Sequence, residues 1–584
     1  MATRNASPAI RYRISISDAS AHRYQVQMVV PAPASGQRLS LPVWIPGSYM
    51  VREFGRHLSR LTAQQGRRAV ALTQLDKTTW QVETMGGGPL SIEYEAYAFD
   101  TSVRTAFLDD SRGFFNATSL CLCAEGHEAL PHEIQLADLP TSWEIATAMP
   151  ALRGTKQGFV SAGYDELVDH PFELGRFWRG RFEAGGVPHE FVVAGAWPGF
   201  DGERLLADAK RICATQIAFW HGRGKPPFSR YVFLLNTVEE GYGGLEHRAS
   251  TALLANRRDL PRRGQAAVSD GYLTLLGLIS HEYFHTWTVK RLKPTEFMRL
   301  DYSRENYTQL LWFFEGFTSY YDDLMLRRAG LIDDARYLKL IGRTINGVRA
   351  TPGQHVQSVA EASFDAWVKY YRSDENTPNA TVSYYTKGSL VALLLDLHLR
   401  RAGQSLDALL RRLWKTSVDS GLTEAVVMAE VAALGGPALA EALAGWVHGR
   451  EELPLAEALA QAGIKWAEDK AGWSAALGLK LSEGPVTGVQ VKSVLDGGAA
   501  AAAGVSAGDE LLAVDGWRIR RLDDAQQWVA DGQAFELTLV RQQRFRTLKV
   551  KPLAAPALDR SVTLQPEPQP TAEARALRRG WLGD

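Results

Sequence analysis

The chain has 584 residues, 45% of them hydrophobic and 22% charged, with 65 Lys+Arg against 65 Asp+Glu. That length exceeds a single hydrophobic core, and the composition is that of an ordinary soluble globular protein, so two to four domains are expected. The balanced charge argues against nucleic acid or an anionic membrane as the main partner, no run approaches the ~18 apolar residues of a membrane helix, and three cysteines cannot build a disulfide framework.

Residues 1–175 read as β. "YRISISD", "RYQVQMVV", "TWQVET" and "LSIEYEAYAF" alternate or carry β-branched and aromatic residues between Gly, Pro and Asn turns. A sandwich-like β-rich domain is expected there. Cys121 and Cys123 alternate as on a strand and read as small buried side chains. The opening "MATRNASPAIRYRISISDA" has no apolar signal core. The expected compartment is the cytoplasm, or the periplasm where a leader has been removed.

From 176 to 465 the pattern becomes mostly helical, with some sheet at its start. "YVFLLNTV" (231–238) reads as a buried strand followed by the loop "EEGYGGLEH". Helical periods cover 268–290, 305–329 and 387–401, with Asp270 and Gly330 as punctuation. The first period contains "HEYFH". On a helix, positions i and i+4 share a face, so His281 and His285 can hold one Zn²⁺ while Glu282 beside them acts as general base on zinc-activated water. A catalytic zinc needs a third protein ligand. Glu315 in "LWFFEGFTSYYDD" suits it, because a carboxylate among Trp312, Phe313, Phe314 and Phe317 is costly to bury without a cation. The oxyanion needs a further donor, and "SYYTKGS" offers Tyr384 and Tyr385 just before a helix. Tyr385 is the choice, and the spacing alone leaves Tyr384 open. In "GYGGLEH", Gly243 and Gly244 let a substrate backbone come close, and Glu246 can pair with a substrate ammonium.

After residue 470 the texture changes to short strands around Gly-Asp and Asp-Gly turns, a separate β-rich module over 470–553. The Pro-, Ala- and Arg-rich 554–584 reads as a loosely ordered tail.

In order, "GGLEH", "HEYFHTWTVKR", "WFFEGFTSYY" and "YYTKG" resemble the glycyl aminopeptidase family of PDZ-containing zinc metallopeptidases, within the gluzincin clan. Over the catalytic domain they also resemble aminopeptidase N. "WIPGSYMVREF" (44–54) is similar to a segment of the β-rich N-terminal domain of that family, and "AGVSAGDELLAVDGWRI" to a bacterial PDZ core. The chain departs at His247, where aminopeptidase N has Asn, and at Thr288, where Asn is expected. The resemblance implies a multidomain α+β protein: a β-rich domain, a thermolysin-like, mostly helical catalytic domain with a small sheet, and a PDZ domain. It also implies one zinc per chain and removal of Gly or Ala from peptides with a free N-terminus. A PDZ groove captures an extended C-terminal peptide, with amides of a loop such as "ALGLKL" (476–481) on the carboxylate. Two other readings stand beside the aminopeptidase: a PDZ-based adaptor on a zincin scaffold, and a zinc endopeptidase. Oligomeric state is open.

Overall fold

The computed structural model describes residues 8–84, 87–530, 532–553, 558 and 560–583. The chain divides into two compact units, Met1–Asn306 and Tyr307–Asp584. The expected catalytic span, 176–465, contributes to both.

The first unit opens on β structure. Arg23–Val30 buries every second residue, with Tyr24, Val26, Met28 and Val30 all at 0% exposure, the period of a sheet with one face on a core. It lies inside a seven-stranded sheet between Ile10–Asp18 and Leu90–Tyr97. Two four-stranded sheets share its core. Cys121, Cys123 and Cys213 are buried and free. Cys121 caps a short helix, Ala117–Leu120, and only Cys123 joins a strand; the cysteines are buried as expected, but Leu122 between them is buried as well, so the strand-like alternation does not hold.

A five-stranded sheet follows, in the order Trp178–Ala184, Val187–Ala194, Tyr231–Val238, Ser250–Asn256, Gly243–Glu246. The three inner strands are nearly continuous apolar runs paired in parallel, as expected for strands covered on both faces. Gly243–Glu246 is an edge strand, antiparallel to Ser250–Asn256. The Asp270–Phe284 helix packs against this end of the sheet. Its N-cap is Ser269, whose side chain accepts from the Tyr272 amide, so Asp270 is the first helical residue rather than the cap. The helix stops at Phe284, with His285 as its C-cap, not at 290 as the periodicity predicts. The chain turns through 286–292, where Val289 adopts φ 68°, a strained conformation for a β-branched residue.

The second unit is helical up to Gln461, with the expected 305–329 period broken into Leu311–Phe314 and Gly316–Arg328. Gly330, at φ 66°, ends the second of these, its amide bonding to the Arg327 carbonyl. A separate sheet, from Leu479–Gly484 to Arg544–Val550, closes over its own core of Leu479, Val489, Val491, Leu511, Leu537 and Leu539.

The tail corrects an expectation. Residues 554–557, 559 and 584 lie outside the described residues, but the rest is ordered. Arg560–Pro566 pairs antiparallel with Ile464–Lys470, and Ala572–Leu582 is a helix. The physical cause is a short apolar pattern that composition averages away. Val562 and Leu564 point inward from the strand, and Trp581 and Leu582 are buried on the helix. The outer edge of the strand is satisfied by a side chain: Asn346 donates to the Val562 carbonyl (2.9 Å) and accepts from its amide (2.6 Å).

Candidate metal centre

His281 and His285 lie one turn apart at the C-terminal end of the Asp270–Phe284 helix, their Nε2 atoms 3.1 Å apart. The Nδ1–H of His285 donates to the Thr288 carbonyl at 3.3 Å, which leaves the Nε2 lone pair for a ligand bond. Position 288 thus serves through its backbone, and a Thr there is no obstacle. Glu315 is 2% exposed and sits at the break between Leu311–Phe314 and Gly316–Arg328, with φ −93° and ψ −43°. His281, His285 and Glu315 offer ligand atoms that all lie within 4.8 Å of one another. Two imidazoles and one carboxylate at that spacing are the donor set of a catalytic zinc with one open position, so the residues present fit the ion.

Glu282 is 5% exposed. A Cβ added to Gly244 would fall 1.9 Å from its Oε1, so the edge strand approaches the carboxylate as only glycine allows. The Gly244→Ala protein should therefore keep its zinc and lose about 10²-fold in kcat, because a displacement near 1 Å at the base costs that much. Metal analysis beside steady-state rates checks this.

Glu246, 3% exposed, stands two residues on and therefore on the same face as Gly244. Against its carboxylate lies Gly47, at φ +96°, whose added Cβ would meet both Glu246 oxygens at 2.5 Å. Beside it runs an ionic network, buried at Asp169 and Lys290 and reaching the surface at Asp165. Lys290 Nζ contacts Asp169 Oδ1 at 2.8 Å, the Arg248 amide donates to Asp169 Oδ2 at 2.9 Å, and Arg248 reaches Asp165 at 2.6 Å. Burial alone would raise the Asp169 pKa; Lys290 and Arg248 overcome it and hold the carboxyl well below its ordinary value. Burial keeps His247 neutral, its pKa lowered to about 4.

In the second unit, Gly316 and Gly388 let two helices touch: a Cβ on Gly316 would be 2.6 Å from the Gly388 Cα. That crossing carries Glu315 and Tyr385, the residues flanking it. Burial first, then the Glu315 carboxylate, raise the Tyr385 phenol well above its ordinary value, so it remains an O–H donor. Its oxygen is 3.2 Å from the Tyr371 hydroxyl. Tyr384 is fully buried and stacked on Tyr385 with centroids 4.8 Å apart.

Gly47, Asp169 and Lys290 join the site without a local sequence pattern that marks them. The "WIPGSYMVREF" segment held the one usable signal, a Pro-Gly turn amid aromatics.

Residues 11–176 match the Peptidase M61 N-terminal domain, residues 274–391 the M61 glycyl aminopeptidase model, and residues 490–541 a PDZ domain. The crystal structure of an aminopeptidase N family protein from Idiomarina loihiensis is similar at a TM-score of 0.93 and 36% identity, covering 98% of this chain and 100% of that one. An M1 zinc metallopeptidase from Deinococcus radiodurans aligns at a TM-score of 0.48 and 15% identity, over 77% of this chain and 95% of that one, too weakly to carry an argument. No curated protein matches.

Proposed function

Since the chain belongs to the M61 glycyl aminopeptidase family and is a zinc metallopeptidase, we propose that it removes small N-terminal residues, Gly or Ala, from peptides with a free amine. The observation that carries this reading is the convergence of His281, His285 and Glu315 with Glu282 next to the first of them. A zinc ion held there would polarise the scissile carbonyl and acidify a water.

The chain's own residues supply the remaining chemistry. Glu282 takes the proton of the attacking water and hands it to the leaving amine. Glu246 binds the substrate ammonium, and its burial strengthens that contact. The outward-facing backbone at Gly244 and Glu246 aligns the peptide. Tyr385 donates its phenolic hydrogen to the developing oxyanion. The PDZ domain receives an extended C-terminal peptide along Leu479–Gly484, an edge strand of its sheet. No described helix is long and apolar enough to cross a membrane.

The test is a comparison of Gly- and Ala-arylamides with their N-acetylated forms, on protein reconstituted with zinc. One equivalent of zinc and turnover of the free amines alone are expected. The Glu246→Ala protein should lose about 1.5–3 kcal/mol in kcat/KM on free-amine substrates. Equal hydrolysis of blocked peptides would replace this reading with an endopeptidase. No turnover, together with PDZ capture of C-terminal peptides, would replace it with an adaptor.

A further inference from the structure

The edge strand Gly243–Glu246 has a definite bonding parity. The His247 amide bonds to the Ser250 carbonyl at 3.0 Å, so His247 and Ser250 form a hydrogen-bonded pair. In an antiparallel ladder such pairs alternate. Leu245 with Ala252 and Gly243 with Leu254 are then the bonded pairs, while Gly244 and Glu246, opposite Leu253 and Thr251, direct their amides and carbonyls to the open edge.

One side chain from the β-rich N-terminal region reaches that edge. Arg104 donates from Nη2 to the Gly244 carbonyl at 3.3 Å, and a Cβ on Gly243 would lie 3.4 Å from its Nη1. Arg104 is half-buried, has no ion pair among the described residues, and its buried Nε has no hydrogen-bond partner among them. A guanidinium carries five N–H donors, and here one long bond to a neutral carbonyl is the only side-chain hydrogen bond it makes among the described residues. A partly desolvated cation in that state is suited to an anion.

Its position identifies the anion. A peptide whose ammonium sits at Glu246 and whose backbone follows the open edge advances ~3.4 Å per residue. Its second residue then ends beside Gly244 and Gly243, within reach of the guanidinium. Resting on the aminopeptidase reading above, we propose that Arg104 is a carboxylate receptor for the residue after the scissile bond. It takes either the terminal carboxylate of a dipeptide or an acidic side chain at that position. Glu246 and Arg104 thereby hold a short substrate at both ends by opposite charges.

The test measures kcat/KM on the zinc-loaded full chain for two matched pairs: Ala-Gly against Ala-Gly-amide, and Ala-Asp-amide against Ala-Asn-amide. The acid-to-neutral ratio is the readout, so a general loss of activity cancels. The wild type should prefer the acid by about tenfold or more in at least one pair, in line with a charge-assisted contact. Arg104→Gln should bring that ratio to near one, and Arg104→Lys should keep most of it. Loss confined to the first pair assigns the terminal carboxylate; loss confined to the second assigns the side chain. A wild-type ratio of one in both pairs, or a ratio unaltered in Arg104→Gln, overturns the proposal. Wild-type protein that cleaves none of the four, nor a free-amine arylamide, fails the aminopeptidase reading instead.

Discussion

The Glu282→Gln protein should bind one zinc, unfold at the wild-type midpoint and turn over peptides with kcat lower by roughly 10²–10⁴-fold, the range for losing a positioned general base. The substitution keeps the shape of the side chain, which matters because the Gly244 backbone presses on it. It also spares His281, His285 and Glu315. What it removes is the capacity to accept a proton. Because the base acts in the chemical step, kcat should fall while KM changes little. Retention of more than a tenth of the wild-type kcat with full zinc content would remove Glu282 from the reaction.

The second large effect is on stability. Asp169→Asn should lower the unfolding free energy of the first unit by about 3–5 kcal/mol, the cost of removing one member of a buried ion pair and stranding the other. Lys290 is only 8% exposed and has its 2.8 Å contact with the lost charge. The direction with pH follows from linkage. The folded Asp169 carboxyl titrates well below the ordinary carboxylate value of 3.8, so its contribution is complete above about pH 4 and is lost as pH falls through the folded pKa. The gap between wild type and variant should therefore be widest near neutrality and narrow in acid. Denaturant midpoints of the full chain at pH 7 and at about pH 2, below the unfolded carboxyl's range, followed by tryptophan fluorescence, measure it; equal midpoints at pH 7 would exclude the network as a support. The Arg248 amide, two residues after Glu246, bonds to the same carboxylate, so the variant should also bind free-amine substrates less well.

The candidate metal ligands are legible because their spacing is local: i and i+4 on one helix, then a carboxylate set among four aromatics. The strand 231–238 was legible from its unbroken apolar run. Residues whose meaning comes from distant partners were not. Arg104 sits 140 positions from the carbonyl it binds, and Asp169 lies 79 from the Arg248 amide, so nothing nearby in sequence marks either one. Helix ends are not legible where the site interrupts the period. His285 caps its helix because the chain must turn for the Thr288 carbonyl to meet its ring, and Glu315 falls at a break that repetition of apolar residues does not reveal. The order of the tail is hidden because its few inward residues are diluted by Pro, Ala and Arg.

The pairing of Ile464–Lys470 with Arg560–Pro566 makes the PDZ sheet an excursion between two neighbouring strands, with Lys470 directly opposite Arg560. Cutting the protein after residue 465 would discard a structural strand and the helix that seats Trp581 along with the PDZ domain. A clean deletion must instead splice 470 to 560 through a hairpin-length linker of two to five residues, and only such an excised form can separate what the PDZ domain recruits from what the peptidase needs to stay folded.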